Sequence, residues 1–335
     1  MTQLMYSPDF LARLEAGLRR TLPRWGLPSA SVVRLLTISE NATFRAIDPE
    51  SGRDLVLRVH RPGYHTRAEI ASELAWLNAL NAERVVATLT PVPQLDGNLI
   101  ADIEDEGTVR HAVAFEHVPG REPAEGQDLP RWFERLGAIN ARLHAHAKAW
   151  RRPEGFVRKR WDYDAMLGSV LLWGDWRAGL GLNAEGRAVL EEVAALLKRK
   201  VEAYGTAPDR FGLVHADMRV ANLLVEGDTL SVIDFDDCGF SWYLYDFAAA
   251  ISFTEQEPYI PQLQQAWVAG YRTVAPLPDE DCAILPTFIM LRRMLLTAWV
   301  ASHAETPTAQ AMGTAYTQGT VALGQAFLAS AGDAA

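Results

Sequence analysis

Cysteine is scarce in this chain of 335 residues, which contains only Cys238 and Cys282. Two thiols are too few for a disulfide scaffold or a four-thiolate zinc site, and their scarcity suits a reducing compartment. Basic residues are also few, because 32 Lys and Arg residues stand against 42 Asp and Glu residues and leave a formal charge of −10. The chain therefore lacks a general positive field that would bind nucleic acid or an anionic membrane surface.

Long uninterrupted apolar runs are lacking as well. Charged residues interrupt the leucines of segment 1–22, a spacing typical of an amphipathic helix and not of a secretory signal. The most apolar late stretch, 288–300, is shorter than the roughly 20 residues of a membrane span. It also contains Arg292 and Arg293. We therefore expect a cytoplasmic protein with no membrane partner.

The first third of the chain is predicted to form a small lobe built on strands. Short apolar or β-branched runs bounded by turn residues predict antiparallel strands. These runs are 31–38, 43–48, 55–60, 95–103 and 109–118. Thr66 and Glu69 form a capping box before a helix predicted to run to about residue 81. The sequence thus predicts an N-terminal helix and lead-in over 1–30 and a lobe of strands and one helix, the N-lobe, over 31–118.

The segment from Pro119 to Pro123 interrupts this pattern, since two prolines and a glycine break any strand ladder across it. Beyond it the apolar spacing is mostly helical. The periodic stretches are 129–150, 187–204, 260–272 and 284–303, followed by an Ala-rich last helix after residue 308. The sequence therefore predicts an α+β chain whose second part, 119–335, is a larger and mainly helical lobe.

Residues 222–234 are predicted to form a β-hairpin around a turn at 226–228. Asn222 lies six residues before Asp228 and Asp234 lies six residues after it, which places the two side chains opposite each other at the open end. An amide oxygen and a carboxylate in these positions would share one hard cation.

Further acidic residues lie close to this hairpin. If the strand continues, its period of two brings Asp234 and Asp236 to one side while Phe235 points into the core. Oxygen ligands at this density suit magnesium, which accepts one or two carboxylates together with substrate phosphates. Asp217 lies five residues before Asn222, on the loop that enters the hairpin. A base that accepts a hydroxyl proton would be needed there.

The spacing His-x-Asp-x-x-x-x-Asn from His215 to Asn222 is that of the protein-kinase catalytic loop, and an Asp follows on the next strand. With Ala216 in place of the kinase Arg, the stretch resembles the aminoglycoside phosphotransferase and choline kinase-like family. The resemblance covers most of the chain and looks closest to the type II homoserine kinase and stress-response kinase groups. It includes Phe115–Gly120 as interlobe hinge, Ala141–His144 as the Leu-His helix, Asp234-Phe235-Asp236, and Tyr245–Ala248 with the downstream Asp.

The resemblance implies a two-lobed, protein-kinase-like fold, with ATP and Mg²⁺ as cofactors. It assigns nucleotide binding to the N-lobe, 31–118, and the catalytic loop and acceptor site to the C-lobe, 119–335. It assigns Asp217 as the catalytic base; Asn222 and Asp234 as metal ligands, with Asp236 as an auxiliary ligand; Glu116 and Val118 as hinge backbone that holds adenine; and His215 and Asp246 as structural residues.

The predicted nucleotide site departs from the family pattern at two points. Arg58 stands where the family has a phosphate-binding Lys, with Glu73 as its partner on the following helix. Arg keeps the charge but is a planar fork, so the exchange is not conservative, although Arg still pairs well with carboxylate or phosphate. The nucleotide loop, 39–44, has no glycine. We therefore expect Ser39, Asn41, Thr43 and backbone amides to cover the phosphates.

The predicted activity is transfer of the γ-phosphoryl group of ATP to a hydroxyl of a small-molecule acceptor, with an amino alcohol or a hydroxy amino acid such as homoserine as the first candidates. The alternatives are a Ser/Thr protein kinase of the stress-response type, an aminoglycoside phosphotransferase and a nucleotide-binding pseudokinase module. Only nine residues separate Asp236 from Asp246, too few for a long activation segment that docks a peptide. This spacing disfavours a protein kinase.

Two further features each allow two interpretations. The aromatic and acidic segments 161–164 and 173–176 would either bind a cationic amine through cation–π contacts or pack onto the helical lobe. Arg292 and Arg293 would either hold a substrate carboxylate or form surface or interlobe salt bridges.

Overall fold

The computed structural model describes residues 7–38, 41–123 and 128–332. The chain folds into two compact units. The first comprises Met1–Pro119 together with Arg151–Arg158, and the second comprises Gly120–Trp150 together with Lys159–Ala335. Strands dominate the first unit and helices the second, which confirms the predicted α+β class.

A five-stranded antiparallel sheet forms the centre of the first unit, in the order β1-β2-β3-β5-β4. Its strands are β1 (Val32–Ile38), β2 (Ala42–Ile47), β3 (Asp54–Val59), β4 (Ile100–Asp105) and β5 (Thr108–Glu116). Along β2 the side chains of Ala42, Phe44 and Ala46 are buried and alternate with half-buried ones, as expected for a strand with one face on the core.

One predicted strand begins later than the sequence indicates. The strand expected around residue 95 begins only at Ile100, because residues 94–98 form a turn. Asp96 accepts a hydrogen bond from the backbone N–H of Asn98 (2.9 Å), and Gly97 adopts a φ of 88° that favours glycine.

Two helices accompany the sheet, α1 (Pro8–Thr21) and α2 (Arg67–Ala82). The predicted capping box at the start of α2 is present, with Thr66 and Glu69 exchanging side-chain and backbone hydrogen bonds. Two bonds attach the segment Arg151–Arg158 to α2. The backbone N–H of Val157 donates to Ser72 Oγ (2.9 Å), and Arg158 Nη1 donates to the carbonyl of Glu69 (2.9 Å).

Helices build most of the second unit. They are α3 (Leu129–Ala149), α4 (Tyr163–Met166), α5 (Ala184–Tyr204), α6 (Tyr245–Ala250), α7 (Ile260–Arg272), α8 (Asp279–Cys282), α9 (Leu285–Ser302) and α10 (Pro307–Gly332), which is kinked at Gly313. The close packing of α3 on α7 depends on Gly137 and Gly270, since a Cβ atom at either position would collide with the backbone of the other helix.

Two short β-ribbons in the second unit carry the residues for which chemistry is predicted. Strand β6 (Phe211–Val214) pairs antiparallel with β9 (Gly239–Trp242), and β7 (Leu223–Glu226) pairs antiparallel with β8 (Thr229–Val232). The catalytic loop predicted from the sequence connects β6 to β7.

Helix α9 is the core helix of the second unit. In the described part of the chain, the stretch Asp279–Ser302 is the one helical region apolar and long enough to cross a membrane, with a mean hydropathy of 1.4 over 18 residues. Its length therefore does not exclude a membrane span, contrary to the expectation from the sequence. However, 78% of that window is buried inside the protein, which is the environment of a core helix.

Candidate active site

The loop that follows β6 is held by a carboxylate from α6. Asp246 is fully buried, and its two oxygens accept hydrogen bonds from the backbone N–H groups of Ala216 (2.8 Å) and His215 (3.3 Å). Ala216 has a φ of 67°, in the left-handed region that non-glycine residues rarely adopt. Such a conformation persists where surrounding bonds determine it, and Asp246 supplies two of these bonds.

Asp246 itself is oriented by α3. Asn140 Nδ2 donates to its Oδ2 (3.2 Å), and so does His144 Nε2 (3.0 Å). Burial lowers the pKa of His144, although the Asp246 carboxylate opposes this shift, so the ring is neutral at pH 7. A neutral ring donates from Nε2 and accepts at Nδ1 from the hydroxyl of Tyr271 (3.1 Å). His144 therefore orients the Asp246 carboxylate, which in turn holds the loop after β6.

Asp217 extends from this loop, and its side chain is 16% exposed. Its Oδ1 accepts from Arg292 Nη2 (2.6 Å), and its Oδ2 accepts from Asn222 Nδ2 (2.9 Å). Arg219 Nε lies 3.5 Å from the same Oδ2. Both carboxylate oxygens are thus engaged, yet the group still reaches the surface of the second unit, as a group that meets a hydroxyl must.

The predicted hairpin is present, but its register differs by one residue from the prediction. Glu226 pairs with Thr229 across a two-residue turn in which Gly227 has a φ of 58°, and Leu223 pairs with Val232. Continuing that register places Asn222 opposite Ile233, not opposite Asp234. The carbonyl of Asn222 indeed accepts from the backbone N–H of Ile233 (2.9 Å).

The strand does not continue through Asp234, so the expectation that Asp234 and Asp236 share one side of a regular strand is wrong. Strand β8 ends at Val232, and Asp234 has a φ of 61°. The chain turns there, and the alternation of a strand no longer applies. Phe235 is fully buried as predicted, with its ring centroid 4.4 Å from that of His215, and Asp236 is also buried.

The donor set near the hairpin fits a hard divalent cation. Asn222 Nδ2 donates to the carbonyl of Asp217 (2.8 Å) and to its carboxylate (2.9 Å), so the amide oxygen of Asn222 is the atom that this side chain would offer to a cation. Within residues 7–38, 41–123 and 128–332 no three His, Cys, Asp or Glu side chains have the spacing of a metal site. An amide oxygen with one or two carboxylates is a sparse oxygen set, which suits a magnesium ion that keeps water and phosphate ligands.

In the first unit, the structure brings Arg58 and Glu73 together. Arg58 lies on β3 and Glu73 on α2, and Arg58 Nη2 is 2.5 Å and 2.6 Å from the two carboxylate oxygens. The two side chains are 5% and 0% exposed, so this is a buried ion pair. The guanidinium also lies over the ring of Phe115, 5.3 Å from its centroid. The pairing predicted from the sequence is therefore present, and the role in nucleotide binding stays a prediction.

The other residues predicted to bind the nucleotide differ in how far the structure describes them and in what they contact. Ser39 lies outside the described residues. The side chain of Asn41 accepts from the backbone N–H of Arg61 (3.0 Å) and so orders the chain after β3. At the end of β5, the N–H of Glu116 donates to the carbonyl of Thr90 (3.0 Å), so that N–H is already used within the first unit. Val118 follows in irregular chain and is partly exposed.

For the tryptophans of segments 161–164 and 173–176 and for the two arginines of α9, the structure favours packing and ion pairing over contact with a substrate. Trp161, Trp173 and Trp176 are buried in the second unit, which agrees with packing. Arg292 and Arg293 are each 2% exposed and form ion pairs inside the second unit, so neither offers a free fork to a substrate carboxylate. Sequence reasoning missed the contact of Arg292 with Asp217. Its only signal was two adjacent arginines within an apolar helix.

Comparison with known proteins agrees with this geometry. Residues 33–277 match the phosphotransferase enzyme family, APH. The chain belongs to this family. A solved structure of the microcompartment-associated aminopropanol kinase is similar to it at 44% identity and a TM-score of 0.87, over 93% of this chain and 97% of that chain. A homoserine kinase of Gluconobacter oxydans (strain 621H) is 28% identical to it. The alignment spans 70% of this chain and 74% of the homoserine kinase.

A more distant solved structure shares the fold of this phosphotransferase. It is an amicoumacin kinase in complex with AMP-PNP and Ca²⁺, 22% identical with a TM-score of 0.77, over 93% of this chain and 95% of that chain. The predicted family, the protein-kinase-like fold and the prediction of a small-molecule kinase are therefore confirmed.

Proposed function

We propose that this phosphotransferase transfers the γ-phosphoryl group of ATP to the hydroxyl of a small amino alcohol. The observation that carries the proposal is the Asp217 carboxylate, which is oriented through both oxygens and still exposed. Asn222, which donates from Nδ2 to the same carboxylate, keeps its amide oxygen for a cation. A base for the acceptor and a ligand for a metal-bound phosphate are thus adjacent on one short loop.

In the proposed mechanism Asp217 accepts a hydrogen bond from the acceptor hydroxyl and aligns its oxygen with the γ-phosphorus. It receives the proton as the bond from that oxygen to the γ-phosphorus forms and the bond from the γ-phosphorus to the bridging oxygen of ADP breaks, so that ADP leaves. Asn222 and Asp234, with Asp236 as an auxiliary ligand, would hold a Mg²⁺ ion, which would supply positive charge to the phosphate oxygens. Arg219, 3.5 Å from the Asp217 carboxylate and partly exposed, adds a cation next to the reacting groups. Catalysis is then mostly positioning and electrostatics.

For the nucleotide we propose that Arg58, oriented by Glu73, holds the phosphates. Ser39, Asn41 and the backbone at Glu116 and Val118 would contribute further contacts. AMP-PNP and Ca²⁺ in the amicoumacin kinase structure support the binding of a nucleoside triphosphate and a divalent cation by this fold. The scarcity of cysteine supports a cytoplasmic location.

The acceptor is inferred from a similar solved structure and from the burial of the two arginines of α9. A protein 44% identical to this chain is described as an aminopropanol kinase. A hydroxy amino acid such as homoserine is the second candidate, because a homoserine kinase is 28% identical. It needs a cation for its carboxylate, and the two arginines that the sequence offered for that role, Arg292 and Arg293, are buried in internal ion pairs. This favours the amino alcohol.

A peptide acceptor is less well supported. In protein kinases a long segment after the metal-binding Asp docks the substrate. Here the nine residues 237–245 contain strand β9, which pairs with β6 along its whole length. That segment is therefore part of the unit's own structure, which favours a small acceptor.

The test is an ADP-release assay with 1-amino-2-propanol, ethanolamine, choline, homoserine and an aminoglycoside as acceptors. The amino alcohol should give the highest kcat/KM. Asp217→Asn should then lower kcat by about 10²–10⁴-fold, the usual contribution of a general base, with little change in ATP affinity. Asp228→Asn is the matched control, since Asp228 lies at the exposed hairpin turn and pairs with Arg131. Its kcat should equal that of the wild type. Full turnover by Asp217→Asn would refute the assigned base.

A further inference from the structure

Arg292 is a buried cation on α9 that contacts the catalytic loop twice. Its Nη2 donates to Asp217 Oδ1 (2.6 Å), and its Nη1 donates to the carbonyl of Ala216 (3.2 Å). Nη1 also donates to the hydroxyl of Tyr245 (3.1 Å), and Nε donates to Ser252 Oγ (3.0 Å). Each nitrogen of the guanidinium thus has a protein acceptor, and two of these acceptors belong to the residues that carry the proposed base.

We propose that Arg292 is a positioning residue for phosphoryl transfer, which acts by locking the Asp217 carboxylate in the orientation that receives the acceptor hydroxyl. The proposal rests on the proposed function, because Asp217 must be the aligning group. Arg292 itself is 2% exposed, and every nitrogen of its guanidinium donates to a group of the second unit, so its role is to position Asp217 and not to bind the substrate.

The physical reason is the freedom of an aspartate side chain that is partly exposed. Asn222 holds one oxygen of Asp217, which still allows the carboxylate to rotate about that bond. The short, charge-assisted bond from Arg292 to the other oxygen fixes the plane of the group. Because the same guanidinium binds the carbonyl of Ala216, it also fixes the backbone from which Asp217 extends. Misplacement of a reacting group by about 1 Å can cost about 10²-fold in rate.

Only a guanidinium, with its N–H donors in one plane, can form all of these hydrogen bonds of Arg292. Arg presents five N–H donors in a rigid plane, whereas Lys has one compact ammonium that would keep the charge but lose most of these bonds. The ring of Trp173 covers the guanidinium, with 5.1 Å from Cζ to its centroid. Arg292→Lys therefore separates the effect of charge from the effect of geometry.

Arg293 is a matched control on the same helix. It is equally buried, and it pairs with Glu255 (Nη1 to Oε2, 2.6 Å) and donates to Thr320 Oγ1 (2.8 Å) and to the carbonyl of Tyr316 (2.9 Å). Its partners lie on α10 and on the segment before α7, away from Asp217. Arg293→Lys should disturb the helix packing as much as Arg292→Lys does, without touching the base.

The experiment compares kcat, KM and thermal stability of the two Lys variants with those of the wild type. We expect Arg292→Lys to lower kcat about 10²-fold with KM for ATP changed by no more than about threefold. We expect Arg293→Lys to lose comparable stability and keep its kcat. A kcat of Arg292→Lys equal to that of the wild type, or an equal loss in Arg293→Lys, overturns the proposal.

A double-mutant cycle tests whether Arg292 acts through Asp217. In the Asp217→Asn background, Arg292→Lys should lower kcat by no more than about threefold, since the group it orients is already lost. Two fully additive losses of kcat would contradict the proposal.

If Arg292→Lys fails to fold, Ser252→Ala is the alternative variant. It removes one acceptor of the guanidinium and should lower kcat at unchanged KM. An unchanged kcat of Ser252→Ala would also contradict the positioning role of Arg292. If the wild type phosphorylates none of the acceptors, the proposed function fails, and not this inference alone.

Discussion

Replacement of Arg58 by Met leaves the Glu73 carboxylate in a buried position without the guanidinium that contacts both of its oxygens. The two side chains are 5% and 0% exposed, and the N–O distances are 2.5 Å and 2.6 Å, so water does not readily take the place of the guanidinium. Removal of one partner from such a pair costs about 3–5 kcal/mol. We expect Arg58→Met to lower the free energy of unfolding by about that amount.

The double variant Arg58→Met/Glu73→Leu separates stability from nucleotide binding. Replacing both members of a buried ion pair by apolar residues of similar volume is often neutral or stabilising. A thioether also packs well against the ring of Phe115, which now faces the guanidinium. We therefore expect the double variant to recover most of the lost stability while its KM for ATP stays raised by at least about tenfold, because the proposed phosphate ligand is gone.

The assay is urea unfolding of the wild type, the single variant and the double variant, followed by ATP-dependent kinetics. Arg45→Met serves as the control, because Arg45 pairs with Asp54 on the same sheet with side chains 34% and 24% exposed. Loss of an exposed pair costs no more than about 1 kcal/mol. An unfolding free energy of Arg58→Met equal to that of the control would refute the argument from burial. A double variant with wild-type KM would show that the pair serves only the fold.

Two further changes test the metal site and the support of the catalytic loop. Asp234→Ala should abolish turnover and the Mg²⁺-dependent rise in melting temperature with ATP, measured by differential scanning fluorimetry, and an unchanged rise would contradict the assigned ligand. Because burial lowers the pKa of His144, the unfolded chain takes up a proton at a pH where the folded chain does not. Stability should therefore fall as the pH drops below about 6.5, by at most about 1.4 kcal/mol per pH unit from this group. His144→Gln should flatten the slope in urea unfolding between pH 7 and 5, and an equal slope would contradict the assignment.

Local patterns in the sequence are sufficient for much of the first unit. The capping box at Thr66 and Glu69 marks the start of α2 because its bonds join residues only three apart. The strands between residues 31 and 60 follow from alternation and turn chemistry, which act within a few residues. The turn at 94–98 shows the limit, since an apolar residue such as Leu95 can be 78% exposed in a turn.

The hairpin in the candidate site is predictable, but its register is not. The residues at 226–228 are compatible with a turn of two or three residues, and one residue of difference moves Asn222 from Asp234 to Ile233 as its cross-strand neighbour. The left-handed backbone at Asp234 also has no local signal, because Asp adopts it only where the surrounding structure requires it.

The sequence alone determined the spacing from His215 to Asn222, because these residues follow one another on a single loop. Only the tertiary structure placed Arg292 on Asp217, 75 residues away, and the Asp246 carboxylate on the N–H of Ala216, 30 residues away. Two arginines in an apolar helix indicate that each needs a partner inside the protein, but not which one. That choice is made when the apolar faces of α6 and α9 pack, since burial is non-directional and ion pairs gain their specificity only in the geometry that packing leaves.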